Sequence, residues 1–254
     1  MKFIPNLLTL LNLLCGCLAI AFLLTEGMVL VSTDQGTLFF DLPASIGMAS
    51  VFIGVAAVLD FFDGRLARLL KADSAMGIQL DSLADVVTFG VAPGMILFSF
   101  FRLGWSTEQT AMDASVLNLL PAFLIPLAAA WRLARFNITP PKLDHFEGVP
   151  SPMVGLTVAS FPLAYWMEGR SWLVRWLQEP WFLYLISFIL SAAMVVRLPM
   201  MNIKMHSFGW KENQARYLFL GIGVGLTFWM RWSAALPIFA TYVLVSLFFQ
   251  KRIR

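Results

Sequence analysis

Long apolar runs, broken at intervals by short clusters of charge, set the pattern of this chain. A helix crossing a hydrocarbon core of about 30 Å needs roughly 20 mostly apolar residues, because lipid offers no partner to an exposed backbone amide. Stretches near residues 6–24, 41–62, 82–101, 117–134, 151–167, 180–196, 215–230 and 233–249 approach that length. Only Arg231 and Trp232 separate the last two, which are short, so the pattern predicts six full spans followed by a tight helical hairpin. The first span lacks a small-residue cleavage site after a short apolar core, and it is expected to stay in the mature protein as an anchor. The expected fold class is all-α: a polytopic membrane protein forming one catalytic domain over 1–254, with a core over about 1–200 and an added hairpin over about 215–250.

Composition agrees, with 59% hydrophobic and 13% charged residues. Charge adds an orientation, since Lys and Arg concentrate on the cytoplasmic side of short loops. With the N-terminus inside, the inner segments hold Lys2; Arg65, Arg68 and Lys71; Arg132, Arg135 and Lys142; Arg197, Lys204, Lys211 and Arg216; and Lys251, Arg252 and Arg254. The outer segments hold only Arg102, Arg170, Arg175 and Arg231. Both termini are therefore expected on the cytoplasmic side of a cell (inner) membrane. The net charge of +3 conceals this asymmetry. The basic inner surface attracts anionic headgroups and phosphorylated substrates, and nucleic acid is not an expected partner. Cys15 and Cys17, two apart on a helix, point to different sides and cannot be bridged to each other.

Candidate chemistry sits where the second span ends and the third begins. Asp60-Phe61-Phe62-Asp63-Gly64-Arg65 closes the one, and Gly77-Ile78-Gln79-Leu80-Asp81-Ser82-Leu83-Ala84-Asp85 opens the other. Asp60 and Asp63 are three apart, Asp81 and Asp85 four apart, so each pair lies on one face of its helix. Four facing carboxylates in a medium of low dielectric repel one another and need a partner. A divalent cation is the simplest, and an all-oxygen donor set without His or Cys favours Mg²⁺ or Mn²⁺, with Ca²⁺ also compatible. Taken singly, each acid is explained as well by pairing with Arg65, Arg68 or Lys71, since structural ion-pair networks are common.

Taken together, these residues fit Asp-x2-Asp-Gly-x2-Ala-Arg-x8-Gly-x3-Asp-x3-Asp at all eight fixed positions: Asp60, Asp63, Gly64, Ala67, Arg68, Gly77, Asp81 and Asp85. A chance match at one register is on the order of 10⁻¹⁰. The segment resembles the signature of the CDP-alcohol phosphotransferase family. That resemblance implies a six-helix core with a cytoplasmic cavity for a CDP-linked lipid, the C-terminal hairpin being an addition to it, and a homodimer. It also implies ligand roles for Asp60, Asp63 and Asp81 at a first metal, Asp63 and Asp85 at a second, and a general-base role for Asp85. The CDP-lipid site would include Asn6, Thr9, Asp60, Gly64, Ala67, Arg68, Ser74 and Gly77. Some of these have plain alternatives: Asn6 as a helix N-cap, Ser74 as a solvated loop residue, and each glycine as a helix end.

Further segments resemble the bacterial serine-using branch of that family, the phosphatidylserine synthases. They are Pro5-Asn6-Leu7-Leu8-Thr9-Leu10-Leu11-Asn12 with Cys15-Gly16, Ala84-Asp85-Val86-Val87-Thr88-Phe89-Gly90-Val91-Ala92-Pro93, Arg132-Leu133-Ala134-Arg135-Phe136-Asn137, and Phe146-Glu147-Gly148-Val149-Pro150-Ser151-Pro152. The resemblance covers the chain to about residue 155. It implies CDP-diacylglycerol and L-serine as substrates, with phosphatidylserine and CMP as products. Serine brings a carboxylate and an ammonium, for which Arg132 and Arg135, then Asn137 or Glu147, are the candidates. Snorkelling to anionic headgroups explains the two arginines equally well.

Glycerol 3-phosphate is the alternative acceptor, which Arg132, Arg135 and Lys142 would also suit. An ion-coupled transporter is the rival outside this chemistry. It would show repeated halves and mid-membrane breaks, whereas here the acids cluster at one edge and no second half repeats them. His145 and His206 have no second histidine near them in sequence and receive no role.

Overall fold

A computed structural model describes residues 3–25, 27–32, 38–70, 74–106, 115–138, 146–169, 171–201 and 209–249. Lys71, Asp73, Lys142, His145, Lys204 and His206 lie outside them.

Helix dominates. α1 (Phe3–Thr25) is followed by a hairpin of β1 (Val29–Ser32) and β2 (Leu38–Asp41), then by α2 (Ile46–Leu69). α3 (Ala75–Val86), a π-helical turn at Val87–Val91 and α4 (Ala92–Ser106) run on as one 32-residue helix. α5 (Val116–Leu119) passes through a 3₁₀ turn at Leu120–Phe123 into α6 (Leu124–Ile138). β3 (Phe146–Glu147) precedes α7 (Ser151–Met167), α8 (Trp172–Leu177) and α9 (Pro180–Val195). After β4 (Pro199–Met200), which pairs antiparallel with β3, come α10 (Trp210–Met230) and α11 (Ala235–Phe248).

Among the described residues, five helical stretches are long and apolar enough to cross a membrane: Pro5–Thr25, Ile46–Leu66, Ala75–Ser106, Val116–Ile138 and Asn213–Phe248. α9 is a shorter apolar helix. Within the last stretch Arg231 takes a positive φ of 49°. The chain folds back there, and the rings of Phe219 before the turn and Tyr242 after it meet edge-to-face at 5.6 Å. The expected polytopic all-α architecture, with its C-terminal hairpin, is present.

Boundaries moved where local hydrogen bonding outweighs hydropathy. α2 starts at Ile46, not 41, because residues 38–41 are held in the β1–β2 ladder and turn bonds from Ile46, Gly47 and Met48 to Pro43, Ala44 and Ser45 open the helix. It runs on to Leu69, beyond the apolar stretch. α3 starts at Ala75, well before the predicted apolar run at 82, because the Ser74 hydroxyl caps it by accepting from Gly77 N at 3.0 Å. All four signature acids therefore sit within helices. α1 begins at Phe3, so Asn6 is inside the helix and is not its N-cap.

The core lies between α4, α6 and α7, where Phe89, Ile96, Leu97, Phe100, Ile125 and Phe161 are fully buried. Phe100 meets Phe161 and Tyr165 edge-to-face, at 6.5 and 5.7 Å. α7 is lined with buried residues along most of its length, as expected of a central helix. Leu14, Val51, Val58, Phe188, Phe228 and Trp229 point outward, which suits a chain whose solvent is lipid. At the end of the bundle away from the acids, Tyr165 donates to Asp41 at 2.5 Å, and Tyr184 accepts from Trp105 at 3.2 Å while donating to the Asn118 carbonyl at 3.0 Å.

Candidate active site

α2 and α3 bring their acids together. One carboxylate oxygen from each of Asp60, Asp63 and Asp81 lies within 4.8 Å of the others. Asp63 is 4% exposed and Asp85 6%, with Asp60 and Asp81 half-buried. Asp85, one helical turn beyond Asp81, stands within Coulombic reach of the other three.

A cation fits this donor set. Oδ1 of Asp81 is shielded from solvent and has no hydrogen-bond donor among the described residues. Burying such an oxygen without a partner is costly, and three converging carboxylates supply the hard oxygen ligands that Mg²⁺ or Mn²⁺ takes. Arg65, one of the three neighbours expected to compete for these acids, places its guanidinium over the Phe61 ring, 4.3 Å from the centroid; the side chains of Arg68 and Lys71 lie outside the described residues.

α1 supplies the second layer. Its buried stripe runs Pro5, Thr9, Asn12, Gly16, Ala19, at alternating spacings of four and three. Two members are polar, and both reach the acids. Thr9 Oγ1 is 2.9 Å from Asp63 Oδ2 and 3.1 Å from the Pro5 carbonyl, so its single proton is shared. Asn12 Nδ2 donates to Asp85 Oδ1 at 3.3 Å. The Asn12 carbonyl in turn accepts from Thr88 Oγ1, in the π-helical turn, at 3.2 Å. Gly16 permits this contact: a Cβ there would lie 2.5 Å from Thr88 Oγ1 and 3.0 Å from Thr88 Cα.

Around the α3 N-terminus, Asn6 Oδ1 and Ser74 Oγ both crowd Gly77, where a Cβ would meet them at 3.2 and 3.1 Å. Three residues expected at one CDP-lipid site, Asn6, Ser74 and Gly77, are thus contiguous. Gly64 lies in α2 directly after Asp63, and Ala67 and Arg68 follow in the same helix; the side chains of Ala67 and Arg68 are outside the described residues.

The expected acceptor residues are dispersed. Arg132, 7% exposed, donates from Nη1 to Ser151 Oγ at 3.1 Å. Its Nε–H is buried without an acceptor among the described residues, and the Asp85 carboxylate is near enough to act on its charge. Arg135 donates to the Val195 carbonyl at 2.9 Å, so the two arginines have different partners within the protein. Asn137 donates to Ser82 Oγ at 2.9 Å, bracing α6 against α3. Glu147 belongs to β3 and pairs with Pro199. Arg132 is the one of the four that is buried.

The sequence profile of the CDP-alcohol phosphatidyltransferase family matches residues 2–249. The chain belongs to this family. Like other CDP-alcohol phosphatidyltransferases, it is a polytopic membrane protein with an acidic, metal-compatible centre, and the ion-coupled transporter is set aside. It is 36% identical over 167 residues to a CDP-diacylglycerol–serine O-phosphatidyltransferase of Bacillus subtilis, covering 65% of this chain and 78% of that enzyme. A Mycobacterium bovis protein of the same name is 30% identical over 256 residues, 96% of this chain and 73% of its own length. One from Saccharomyces cerevisiae is 41% identical over 119 residues, 43% of this chain and 39% of its own.

Within this CDP-alcohol phosphatidyltransferase, sequence reasoning assigns no role to Asn12, Thr88 or Ser151. A signal for Asn12 exists: Asn6, Thr9 and Asn12 recur every three residues in an otherwise apolar helix. Ser151 carries no such periodicity.

Proposed function

We propose that this enzyme transfers the phosphatidyl group of CDP-diacylglycerol to the hydroxyl of L-serine, giving phosphatidylserine and CMP. The observation that carries the reaction class is the convergence of Asp60, Asp63 and Asp81 beside the buried Asp85. The serine-specific names of the relatives support the acceptor.

Asp60, Asp63 and Asp81 would hold one Mg²⁺ or Mn²⁺, and Asp63 with Asp85 a second; bound there, the cations supply charge neutralisation on the phosphate oxygens. The chain's own residues do the rest. Asp85 accepts the proton of the serine hydroxyl, whose oxygen forms a bond to the phosphorus carrying diacylglycerol as the bond from that phosphorus to CMP breaks. CMP leaves with the electron pair. General-base assistance of this kind contributes about 10² to 10⁴ in rate. Asn12 fixes the Asp85 carboxyl, and Thr9 fixes that of Asp63. Asn6, Ser74, Gly77 and the Gly64–Arg68 turn of α2 form the nucleotide side. Arg132, whose buried Nε–H has no acceptor among the described residues, would receive the serine carboxylate.

The distribution of Lys and Arg supports a cytoplasmic site and cytoplasmic termini in a cell membrane, and the family resemblance supports a homodimer. Incubating the purified enzyme with CDP-diacylglycerol, Mg²⁺ or Mn²⁺ and isotopically labelled L-serine tests the reading. Label recovered in phosphatidylserine upholds it; label absent from the lipid fraction while CMP is released rejects serine as the acceptor.

A further inference from the structure

The C-terminal hairpin reaches the acceptor side of the site through backbone contacts. Tyr242, on α11, is fully buried, and a buried phenol needs a hydrogen-bond partner. Its hydroxyl donates to the Met201 carbonyl at 2.8 Å, and Ser246 Oγ, one turn further on and equally buried, accepts from Met201 N at 3.2 Å. Both polar groups of one backbone residue are thus taken by one face of α11.

Met201 is the last described residue of a strap that begins where α9 stops. Pro199 and Met200 form β4 against Phe146 and Glu147 of β3. The Leu198 carbonyl accepts from Gly148 N, and the Ala193 carbonyl from Val149 N, both at 2.9 Å. Gly148 has a φ of +76°, and a Cβ there would collide with the Met194 carbonyl oxygen, so the two segments lie in direct backbone contact. Three residues past Gly148, Ser151 accepts from Arg132, and Arg135 donates to Val195 at the head of the strap.

We propose that Tyr242 and Ser246 are positioning residues for the acceptor pocket, holding the 196–201 strap and, through the Glu147–Ser151 segment, the guanidinium of Arg132. The hairpin is then a wall of the acceptor side, and the donor side, built on α1, α2 and α3, is independent of it. This rests on the transfer reaction proposed above, with the acceptor's anionic group taken up by Arg132.

The test compares Tyr242→Phe and Ser246→Ala with the parent enzyme in detergent, measuring CMP release against acceptor concentration and, separately, against CDP-diacylglycerol. The parent enzyme is first run with L-serine and with glycerol 3-phosphate, and the variants are assayed with whichever supports release, so failure of the serine assignment is seen before any variant is scored. The loss of one neutral hydrogen bond predicts an acceptor KM raised about threefold to tenfold in each variant, with the KM for CDP-diacylglycerol within about twofold of the parent and kcat changed less than the acceptor KM. With serine as acceptor, L-alanine, which keeps the carboxylate and ammonium but has no hydroxyl to react, should weaken as a competitive inhibitor by the same factor. An unchanged acceptor KM in both variants overturns the proposal. So does a parallel rise in both KM values with a lowered melting temperature, which is what a merely structural contact would give.

Discussion

Asn12 on α1 and Asp85 on α3 are joined by a hydrogen bond of 3.3 Å from the amide nitrogen to the carboxylate. The contact gives the buried acid a neutral donor, fixing its orientation without cancelling its charge. Hydrogen bonds to charged groups contribute about 1.5–3 kcal/mol, so Asn12→Ala should lower kcat by roughly tenfold or more with the fold intact. Asn12→Asp should be worse, because a fifth carboxylate then faces Asp85. Steady-state CMP release by the two variants, each checked for monodispersity, measures this order.

Removing charge from the acidic cluster separates activity from folding. Asp60→Asn, Asp63→Asn and Asp81→Asn should each abolish CMP release while the proteins express and melt at or above the parent temperature in metal-free buffer, since the repulsion among the carboxylates is relieved. Chelation of divalent ions should silence the parent enzyme reversibly, and Mg²⁺ or Mn²⁺ should raise its melting temperature but not that of the variants. A variant that fails to express would contradict this separation.

Thr9 touches Asp63 from behind. Its hydroxyl is within 2.9 Å of Oδ2, and outer-shell partners of metal ligands typically carry about 10–100-fold in affinity or activity. Thr9→Val, which keeps the shape, should therefore raise the Mg²⁺ concentration for half-maximal activity by about tenfold, as read from a metal titration.

Two glycines with positive φ offer a matched pair for stability. A Cβ added at Gly148 (φ +76°) would run into the Met194 carbonyl oxygen, whereas one added at Gly169 (φ +59°) would meet nothing within 4 Å. Left-handed backbone strain alone costs on the order of 1–3 kcal/mol for a non-glycine residue. Gly148→Ala should lose that and suffer the clash, so its melting temperature in detergent should fall well below that of Gly169→Ala.

The fold was legible because lipid makes one rule dominant: a long apolar stretch must be a helix. α7 illustrates it, since its expected bounds of 151 and 167 coincide with Ser151–Met167. Hydropathy misplaced the ends of α2 and α3, where Asp60, Asp63 and Asp81 continue the helices through polar sequence; the Ser74 cap and the β1–β2 ladder set those ends. The acids were legible through their spacing, which is helical within each pair. Which partners orient them was not, because Asn12 and Asp85 are 73 positions apart and only the packing of α1 on α3 makes them neighbours. Three of the four expected acceptor residues read as a local run, Arg132 to Asn137, yet helical geometry turns Arg132 toward Ser151 while Arg135 meets the end of α9. The contribution of α11 to that region carried no sequence signal, since Tyr242 and Ser246 look like ordinary members of an apolar helix.

The central claim is a metal-dependent transfer from CDP-diacylglycerol to serine, centred on the Asp60, Asp63, Asp81 and Asp85 cluster. Its most direct test is CMP release by the purified enzyme with CDP-diacylglycerol and Mg²⁺ or Mn²⁺, with L-serine and glycerol 3-phosphate supplied separately and Asp85→Asn run alongside. Release that requires serine and metal, and that falls by about 10² to 10⁴ in Asp85→Asn, is the predicted result. Release with glycerol 3-phosphate alone, or undiminished release by Asp85→Asn, would contradict it.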